Sequence, residues 1–496
     1  MSDSNLTNTR RWLITLTVMT ITIIELLDMT IVIVATHNMM GTLSANSEQI
    51  TWVVTAYIVS AAIVILLTGF LTTRFGRRKV LLIAVIGFLM SSMLCGLSSS
   101  LTTMIVFRIF QGICGAVFIP TSQVILKSIF PEKDQGLAMA IWAIGLMTAP
   151  VLGPTIGGYI TDHFTWRWCF YINVPFCILS FFMILRFIEE TPTAKTRIDW
   201  LGIFLVVIGI GSLQTFLDQG NTHDWFGSHQ ITLLAVIATG CITYLIYHCL
   251  TVENPILNLK LFRSYNFSVC TIMLGCYVAS VLGSVTLQPI FMEQFLNYPA
   301  ETTGFLLAPR GIASACGMLI VGRFMKVLDP RWFIAFGIVT SCFGTYLMTR
   351  YDLQIDAHYL LISSLTQGFG MGFAIVPLAT LCTKGFAKHD LPQGTALFSF
   401  SRSLGNAIGV SLLATIITRE TQVNWNELGS RLTLAHPAVQ HWFKDQHETL
   451  HNPHALERLT AILYTQASTI AFVDMFWAAS MLLVVLLPFV YFLKTK

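Results

Sequence analysis

Long apolar runs separated by short polar turns fill the chain from Trp12 to Leu493. Taking about 20 residues per crossing, the pattern predicts about fourteen spanning helices. They lie near 12–36, 50–72, 79–98, 101–127, 136–162, 168–188, 198–217, 230–250, 267–295, 303–326, 331–350, 357–383, 392–418 and 468–493. The first run follows Arg10 and Arg11 and has no small-residue cleavage signal, so it reads as a retained span and not a removed leader. The expected fold class is an all-α membrane protein.

Composition agrees with this pattern. The 496 residues are 54% hydrophobic and only 11% charged, whereas soluble domains carry about 25% charge. A mean hydropathy of +0.70 excludes a single water-soluble core, and most of the chain must sit in the lipid bilayer. The net charge of +4 is spread over turns, which argues against a nucleic-acid partner. The eleven cysteines lie in apolar segments without a CxxC pair. They read as small hydrophobes, and neither a disulfide framework nor a metal site is expected. No HExxH, GxSxG or metal-spaced Cys/His set is present, so neither enzyme activity nor a cofactor is expected.

Charge placement orients the spans. With the N-terminus in the cytoplasm, the inner turns hold Arg10, Arg11, Arg74, Arg77, Arg78, Lys79, Lys127, Lys133, Arg186, Lys195, Arg197, Lys260, Arg263, Arg323, Lys326, Arg331, Lys384, Lys388, Lys494 and Lys496. The short outer turns hold only Arg167 and Arg350. This positive-inside bias places both termini in the cytoplasm. The last outer loop, 419–467, is long and polar with helix-like stretches, and carries His436, His441, His447, His451 and His454. His447 and His451 have the spacing of a metal pair, but no carboxylate–His–His signature surrounds them. A solvated loop that touches a partner is the preferred reading.

The sequence also repeats itself. Gln111-Gly112 and Ile119-Pro120 in span 4 are matched by Gln367-Gly368 and Val376-Pro377 in span 12. Each is followed by a charged turn containing Pro and then Gln-Gly: Gln135-Gly136 and Gln393-Gly394. Spans 2 and 10 both end in Gly and a basic turn, from Gly69 to Lys79 and from Gly322 to Arg331. The expected organisation is a six-helix half over 1–190, an inserted helix pair over 191–262, and a second six-helix half over 263–496 that includes the outer loop. Such repeats place a binding site between the halves and predict a rocking cycle.

Ionisable residues inside spans mark function by default. Glu25 and Asp28 are three residues apart and share a helix face. Counting about 1.5 Å per residue puts Asp28 about 24 Å from Trp12, in the outer half of a core about 30 Å thick. The same count places Arg108 about 10 Å below the outer edge, at a similar depth. Asp28 is the candidate proton carrier with Glu25 beside it, and Arg108 the group that favours its charged form. A structural ion pair is the alternative. Arg310 and Arg402 are further charges within spans. Tyr57, Gln111, Phe118, Trp142, Phe291, Arg310, Phe398 and Arg402 are candidates to line a substrate cavity; for the aromatic ones ordinary packing is the alternative.

Three motifs resemble the major facilitator superfamily. Gly69-Phe70-Leu71-Thr72-Thr73-Arg74-Phe75-Gly76-Arg77-Arg78-Lys79 resembles its cytoplasmic gating motif, with Thr73 in place of the usual Asp. Gly145, Ala149, Pro150, Gly153, Pro154, Gly157 and Gly158 in span 5 resemble the antiporter motif of drug:proton exporters. Their period of four leaves a stripe free of large side chains for close helix approach, and the prolines permit a bend. Leu27-Asp28-Met29-Thr30, Arg108-Ile109-Phe110-Gln111-Gly112, Trp166 to Pro175, and Arg197-Ile198-Asp199 are similar to the fourteen-span subfamily and resemble the EmrB type of inner-membrane multidrug exporter. Glu25 and Arg310 depart from that pattern, Glu25 replacing Gln; Glu25 points to a preference for cations, Arg310 for anions. The resemblance implies proton-driven export of small hydrophobic or amphipathic molecules across a bacterial inner membrane by alternating access. It also implies a periplasmic adaptor protein and an outer-membrane channel as partners. The rival readings are export of a self-made metabolite such as a siderophore, a nutrient symporter, and a membrane receptor or scaffold.

Overall fold

The structure, a computed structural model, describes residues 7–193, 198–253, 255–325, 327–387, 389–432, 436–445 and 453–494. All regular elements among them are helical. In chain order they are α1 (Asn8–Leu43), α2 (Ser47–Phe75), α3 (Arg77–Leu97), α4 (Leu101–Gly115), α5 (Phe118–Ile129), α6 (Glu132–His163), α7 (Trp168–Tyr171), α8 (Asn173–Phe187), α9 (Trp200–Gln219), α10 (His229–Thr251), α11 (Tyr265–Gln294), α12 (Ala300–Phe324), α13 (Pro330–Met348), α14 (Ala357–Leu381), α15 (Leu391–Arg431), α16 (Pro437–Asp445) and α17 (Pro453–Leu486). Thirteen helical segments among the described residues are long and apolar enough to cross a bilayer, and α6 occupies the fifth predicted span. Lys195, Arg197, Lys326, Lys388, Lys496, His447 and His451 lie outside the described residues.

Local chemistry sets the helix limits. Asn46 accepts from Gln49 N at 2.7 Å while the Gln49 side chain accepts from Asn46 N at 3.2 Å, a reciprocal cap that starts α2. Asp329 with Pro330 starts α13 in the same economical way. Gly76 joins α2 to α3 at φ +87°, a conformation open to glycine and strained for other residues. Two predicted spans are broken. Span 4 divides into α4 and α5 because Pro120 has no N–H to bond the carbonyl four residues back, at Ala116. Span 6 divides into the short α7 and α8.

The largest difference from the sequence reading is at 419–467. Most of this segment is not loop. α15 runs 41 residues to Arg431 and α17 begins at Pro453, so the last two spans continue as an antiparallel pair with α16 at its tip. A 41-residue helix is about 60 Å long, roughly twice the bilayer core. Trp425 of α15 lies against Tyr464 of α17 at 6.1 Å, and within α15 Arg431 pairs with Glu427 at 2.6 Å.

Helix packing repeats. α1 lies against α6 and α8, α2 against α4, and α3 against α4 and α8. In the later part α11 lies against α15 and α17, α12 against α14, and α13 against α14 and α17. These are the same partnerships with eight spans added. Between the sets, α6 packs on α12 and α2 on α15, two contacts that exchange under the repeat. The inserted α9 rests on α2 and α15, while α10 packs mainly on α9.

The end of the bundle bearing Arg74, Arg77 and Arg78 is the basic end; the other is the far end. At the basic end the two sets touch. A Cβ on Gly69 would lie 2.8 Å from Gln393 Cα, and one on Gly322 would lie 2.8 Å from Ala140 Cβ and 3.3 Å from Gly136 O. The two glycines that repeat in sequence thus fill equivalent positions, each against the Gln-Gly turn of the opposite set. Lys127 was expected in an inner turn, but it belongs to α5 and is buried. Its Nζ donates to Ala379 O at 2.6 Å and to Thr383 Oγ1 at 2.5 Å, bonding α5 to the C-terminal carbonyls of α14.

Candidate functional site

Asp28 and Arg108, which residue counting places at similar depth, are in contact and form the centre of a larger group. Arg108 Nη1 lies 2.7 Å from Asp28 Oδ2, and both side chains are 0% exposed. Asp28 Oδ1 accepts from Gln111 Nε2 at 2.9 Å and from Asn173 Nδ2 at 2.6 Å. Arg108 also donates from Nη1 to Gln111 Oε1 at 2.7 Å and from Nε to Val53 O at 3.1 Å. Its guanidinium lies 4.3 Å over the Tyr57 ring and 5.8 Å from that of Phe170. Four helices therefore converge: α1 gives the carboxylate, α4 the cation and one amide, α8 the second amide, and α2 a carbonyl and an aromatic face. Ion burial of this kind is costly unless pairing and hydrogen bonding are near complete. Here Arg108 Nη2 is the one guanidinium nitrogen without a partner.

Small residues make the convergence possible. A Cβ on Gly112 would stand 2.5 Å from Tyr57 O, so only glycine lets α4 lie this close to α2. The antiporter stripe performs the same task between α6 and α1. A Cβ on Gly145 would meet Met19 at 3.1 Å, one on Gly157 would meet Ile31 Cγ1 at 2.9 Å, and one on Gly153 would overlap the Thr30 hydroxyl. Ala149 is fully buried, and Pro150 and Pro154 fall within α6. Gly158 differs, since a Cβ there would have nothing within 4 Å. The stripe thus seats α6 along α1 from Met19 to Ile31, on both sides of Asp28.

Glu25 does not join the Asp28 group. It is buried, its Oε2 has no partner, and the opposite charge that acts on it most is Arg402 of α15. Arg402 Nε also has no partner, and no ion pair within 4 Å joins the two. Arg402 thus acts on Glu25 from the other set without a direct bond. Of the expected cavity residues, Gln111 and Tyr57 belong to the Asp28 group. Phe118, Trp142, Phe291 and Phe398 are packed inside the bundle. Trp142 Nε1 donates to Ser122 Oγ at 2.8 Å, and Phe118 lies 5.6 Å from Phe88. A cavity of about 340 Å³ opens elsewhere, between α11, α15 and α17, lined by Leu287, Phe295, Ile417, Thr418 and Phe472 among others.

At the gating motif, Thr73 Oγ1 bonds Gly69 O within its own helix at 2.8 Å, so no charge relay passes through that position. Arg77 Nη1 donates to Ser128 Oγ at 3.2 Å and Arg78 Nη2 to Leu185 O at 2.7 Å, while Arg74 lies over Phe75. The sequence reading did not single out Asn173 or Lys127 as site residues. The available signal was Asn173 as the lone polar residue from Tyr171 to Cys177, and Lys127 as the lone charged residue from Phe118 to Ile129.

Comparison with known proteins gives one answer. The family model described as Major Facilitator Superfamily matches residues 18–410 and 267–494. The chain is 34% identical over 478 residues to the multidrug export protein EmrB of Escherichia coli strain K12, covering 95% of this chain and 93% of that one. It is 32% identical over 476 residues to the fatty acid resistance protein FarB of Neisseria gonorrhoeae, again covering 95% and 93%. The crystal structure of the human organic anion transporter MFSD10 superposes with a TM-score of 0.64 at 13% identity, over 96% of this chain and 100% of that one, a likeness of fold. With its transporter relatives, repeated helix packing and buried ion pair, this chain belongs to the Major Facilitator Superfamily, among its EmrB-type multidrug exporters.

Proposed function

We propose that the protein exports small hydrophobic or amphipathic compounds in exchange for protons, with Asp28 as the proton-carrying group. The observation that carries this reading is the fully buried Asp28–Arg108 pair, completed by Gln111 and Asn173. A proton delivered to Asp28 removes the charge that holds Arg108 Nη1. Arg108 keeps alternative partners in Gln111, Val53 O and the Tyr57 ring, so the group has a second arrangement available without an orphaned cation. Thr30 and Ile31, one turn beyond Asp28, lie in the glycine stripe of α6, and α6 packs on α12 of the other set. A shift of α1 is in this way transmitted across the interface. Glu25 and Arg402 add a second charge pair whose separation changes as the sets rock.

The basic end faces the cytoplasm in this reading, by the positive-inside rule, with both termini there. In this reading the cytoplasmic side is closed by Lys127, Gly69 and Gly322, and Asp28 is sealed from solvent until the sets rock. A proton crossing 100 mV supplies about 2.3 kcal/mol, enough for roughly a fiftyfold substrate gradient. Everted vesicles energised by respiration test the coupling. Addition of a substrate dye should dissipate part of the pH gradient with the native protein and none with Asp28→Asn. An unchanged response in Asp28→Asn would remove the assignment.

The far-end pair of α15 and α17 is the proposed docking element for a periplasmic adaptor and, through it, an outer-membrane channel. It is supported by the length of the pair beyond the bilayer and by α16 at its tip. Deleting 432–452 should leave insertion and vesicle transport intact and lower export to the medium; equal export would count against docking.

A further inference from the structure

The second set contains its own buried arginine, in surroundings opposite to those of Arg108. Arg310 of α12 is 5% exposed. Its Nη2 donates to Gln288 Oε1 of α11 and to Ser364 Oγ of α14, the latter at 3.3 Å. Gln288 Nε2 in turn donates to Tyr351 Oη at 2.9 Å, and Tyr351 Oη lies 2.6 Å from Ser363 Oγ. Arg310 Nε has no partner, and neither has Ser314 Oγ, four residues on and on the same helix face. Among the described residues no carboxylate pairs with Arg310; the only ionisable group that acts on it is Tyr351.

The repeat makes the contrast specific. Ser364 stands three residues before Gln367-Gly368, where Arg108 stands before Gln111-Gly112. Gly368 seats α14 on α12 at Arg310, its Cβ position 2.8 Å from Arg310 Cγ, as Gly112 seats α4 on α2. The second set therefore has the same close helix crossing, with the cation moved to α12 and the carboxylate of α1 replaced by Gln288 on α11. A buried guanidinium without a counter-ion is unfavourable, and the surrounding Ser364, Tyr351 and Gln288 are groups able to donate hydrogen bonds. Prolines flank the group, Pro289 next to Gln288 and Pro309 next to Arg310, so both helices can bend here. Leu306 and Leu307, one turn before Arg310, are only partly buried, and Phe291 stacks on Tyr351 at 5.6 Å. An apolar surface thus adjoins the uncompensated cation.

We propose that Arg310, with Gln288, Ser364 and Tyr351, is a substrate subsite for the carboxylate of an anionic amphiphile, whose chain lies against Leu306 and Leu307. The unpartnered Nε–H, beside an Nη2 that already bonds Gln288 and Ser364, is left to meet an oxygen of a carboxylate. The proposal rests on the exporter reading for its biological sense, but its test does not depend on transport.

Full-length protein in nanodiscs is titrated with octanoate, with octyltrimethylammonium and with acetate, and binding is read by tryptophan fluorescence. Octanoate should bind, with acetate at least about tenfold weaker because it lacks the chain. Arg310→Gln should weaken octanoate by about tenfold or more and leave octyltrimethylammonium unchanged. Ser364→Ala, a milder change, should weaken octanoate about two- to fivefold, which keeps the test decisive if Arg310→Gln does not fold. Octanoate affinity unaltered in the variants, equal losses for both amphiphiles, or acetate binding as tightly as octanoate would each overturn the subsite. Loss of proton-coupled export in vesicles with octanoate binding retained would instead count against the exporter reading alone.

Discussion

The two halves solve one packing problem and leave two different charge states. In the first, glycine at 112 brings α4 onto α2, and the cation of α4 meets a carboxylate of α1 with two amides to complete it. In the second, glycine at 368 brings α14 onto α12, and the cation of α12 meets an amide and a serine hydroxyl. The backbone scaffold is shared, so the difference is one of side chains. A compensated pair can be switched by a proton, which cancels one of its members. An uncompensated cation can be neutralised only by an anion from elsewhere. On the two proposals made above, the repeat is divided between a driving-ion site and a cargo site.

Changes that erase the first half's pair should have the largest effect. Arg108→Ala leaves Asp28 buried and unpaired, and should cost about 3–5 kcal/mol of stability or force Asp28 to bind a proton permanently. Thermal melting in detergent together with the pH-gradient assay checks this, the expected outcome being a lower midpoint and no substrate-driven proton flux. A second change makes the halves alike. Gln288→Asp gives Arg310 the partner that Arg108 has. It should abolish octanoate binding, by about tenfold or more, while raising or preserving the melting midpoint; retained octanoate affinity would show that the halves differ for another reason.

Smaller effects sharpen the comparison at the helix crossings. Gly157→Ala sets a methyl against Ile31 and should cost about 1–3 kcal/mol, whereas Gly158→Ala, facing open space, should stay within about 0.5 kcal/mol. Similar melting shifts for the two would contradict the seating of α6 on α1. The gentlest change is Lys127→Met, which removes the bonds to Ala379 O and Thr383. Thiol labelling of the neighbouring, buried Cys382 should quicken several-fold without loss of folding; an unaltered rate would show that the glycine contacts alone close the basic end.

Much of the fold was legible because lipid imposes simple rules. Span length and the side on which lysine and arginine accumulate are set by bilayer thickness and by the energetics of burying charge. Asp28 and Arg108 were legible for the same reason, since counting residues along two helices gives two depths that can be compared. Asn173 was not, because a neutral amide in an apolar run is ordinary until its partner is known. Lys127 was misread as a turn residue because a sequence does not show that the carbonyl end of another helix lies beside it. The segment 419–467 reads in sequence as a polar loop with helix-like stretches, because its composition does not continue the apolar spans. Outside the bilayer a helix needs no continuous apolar run, and pairs such as Arg431–Glu427 sustain it.

The length of α15 has one more consequence. Arg402 lies within the bundle, and Arg431 follows it on the same unbroken helix, about 44 Å away at 1.5 Å per residue. A tilt of about 15° pivoting near Arg402 would sweep the tip sideways by roughly 11 Å. The pair of helices is in effect a pointer fixed to the second half. Whatever rests on its tip feels each turn of the cycle as a displacement far larger than the motion inside the membrane, and holding that tip still from outside would arrest the cycle within.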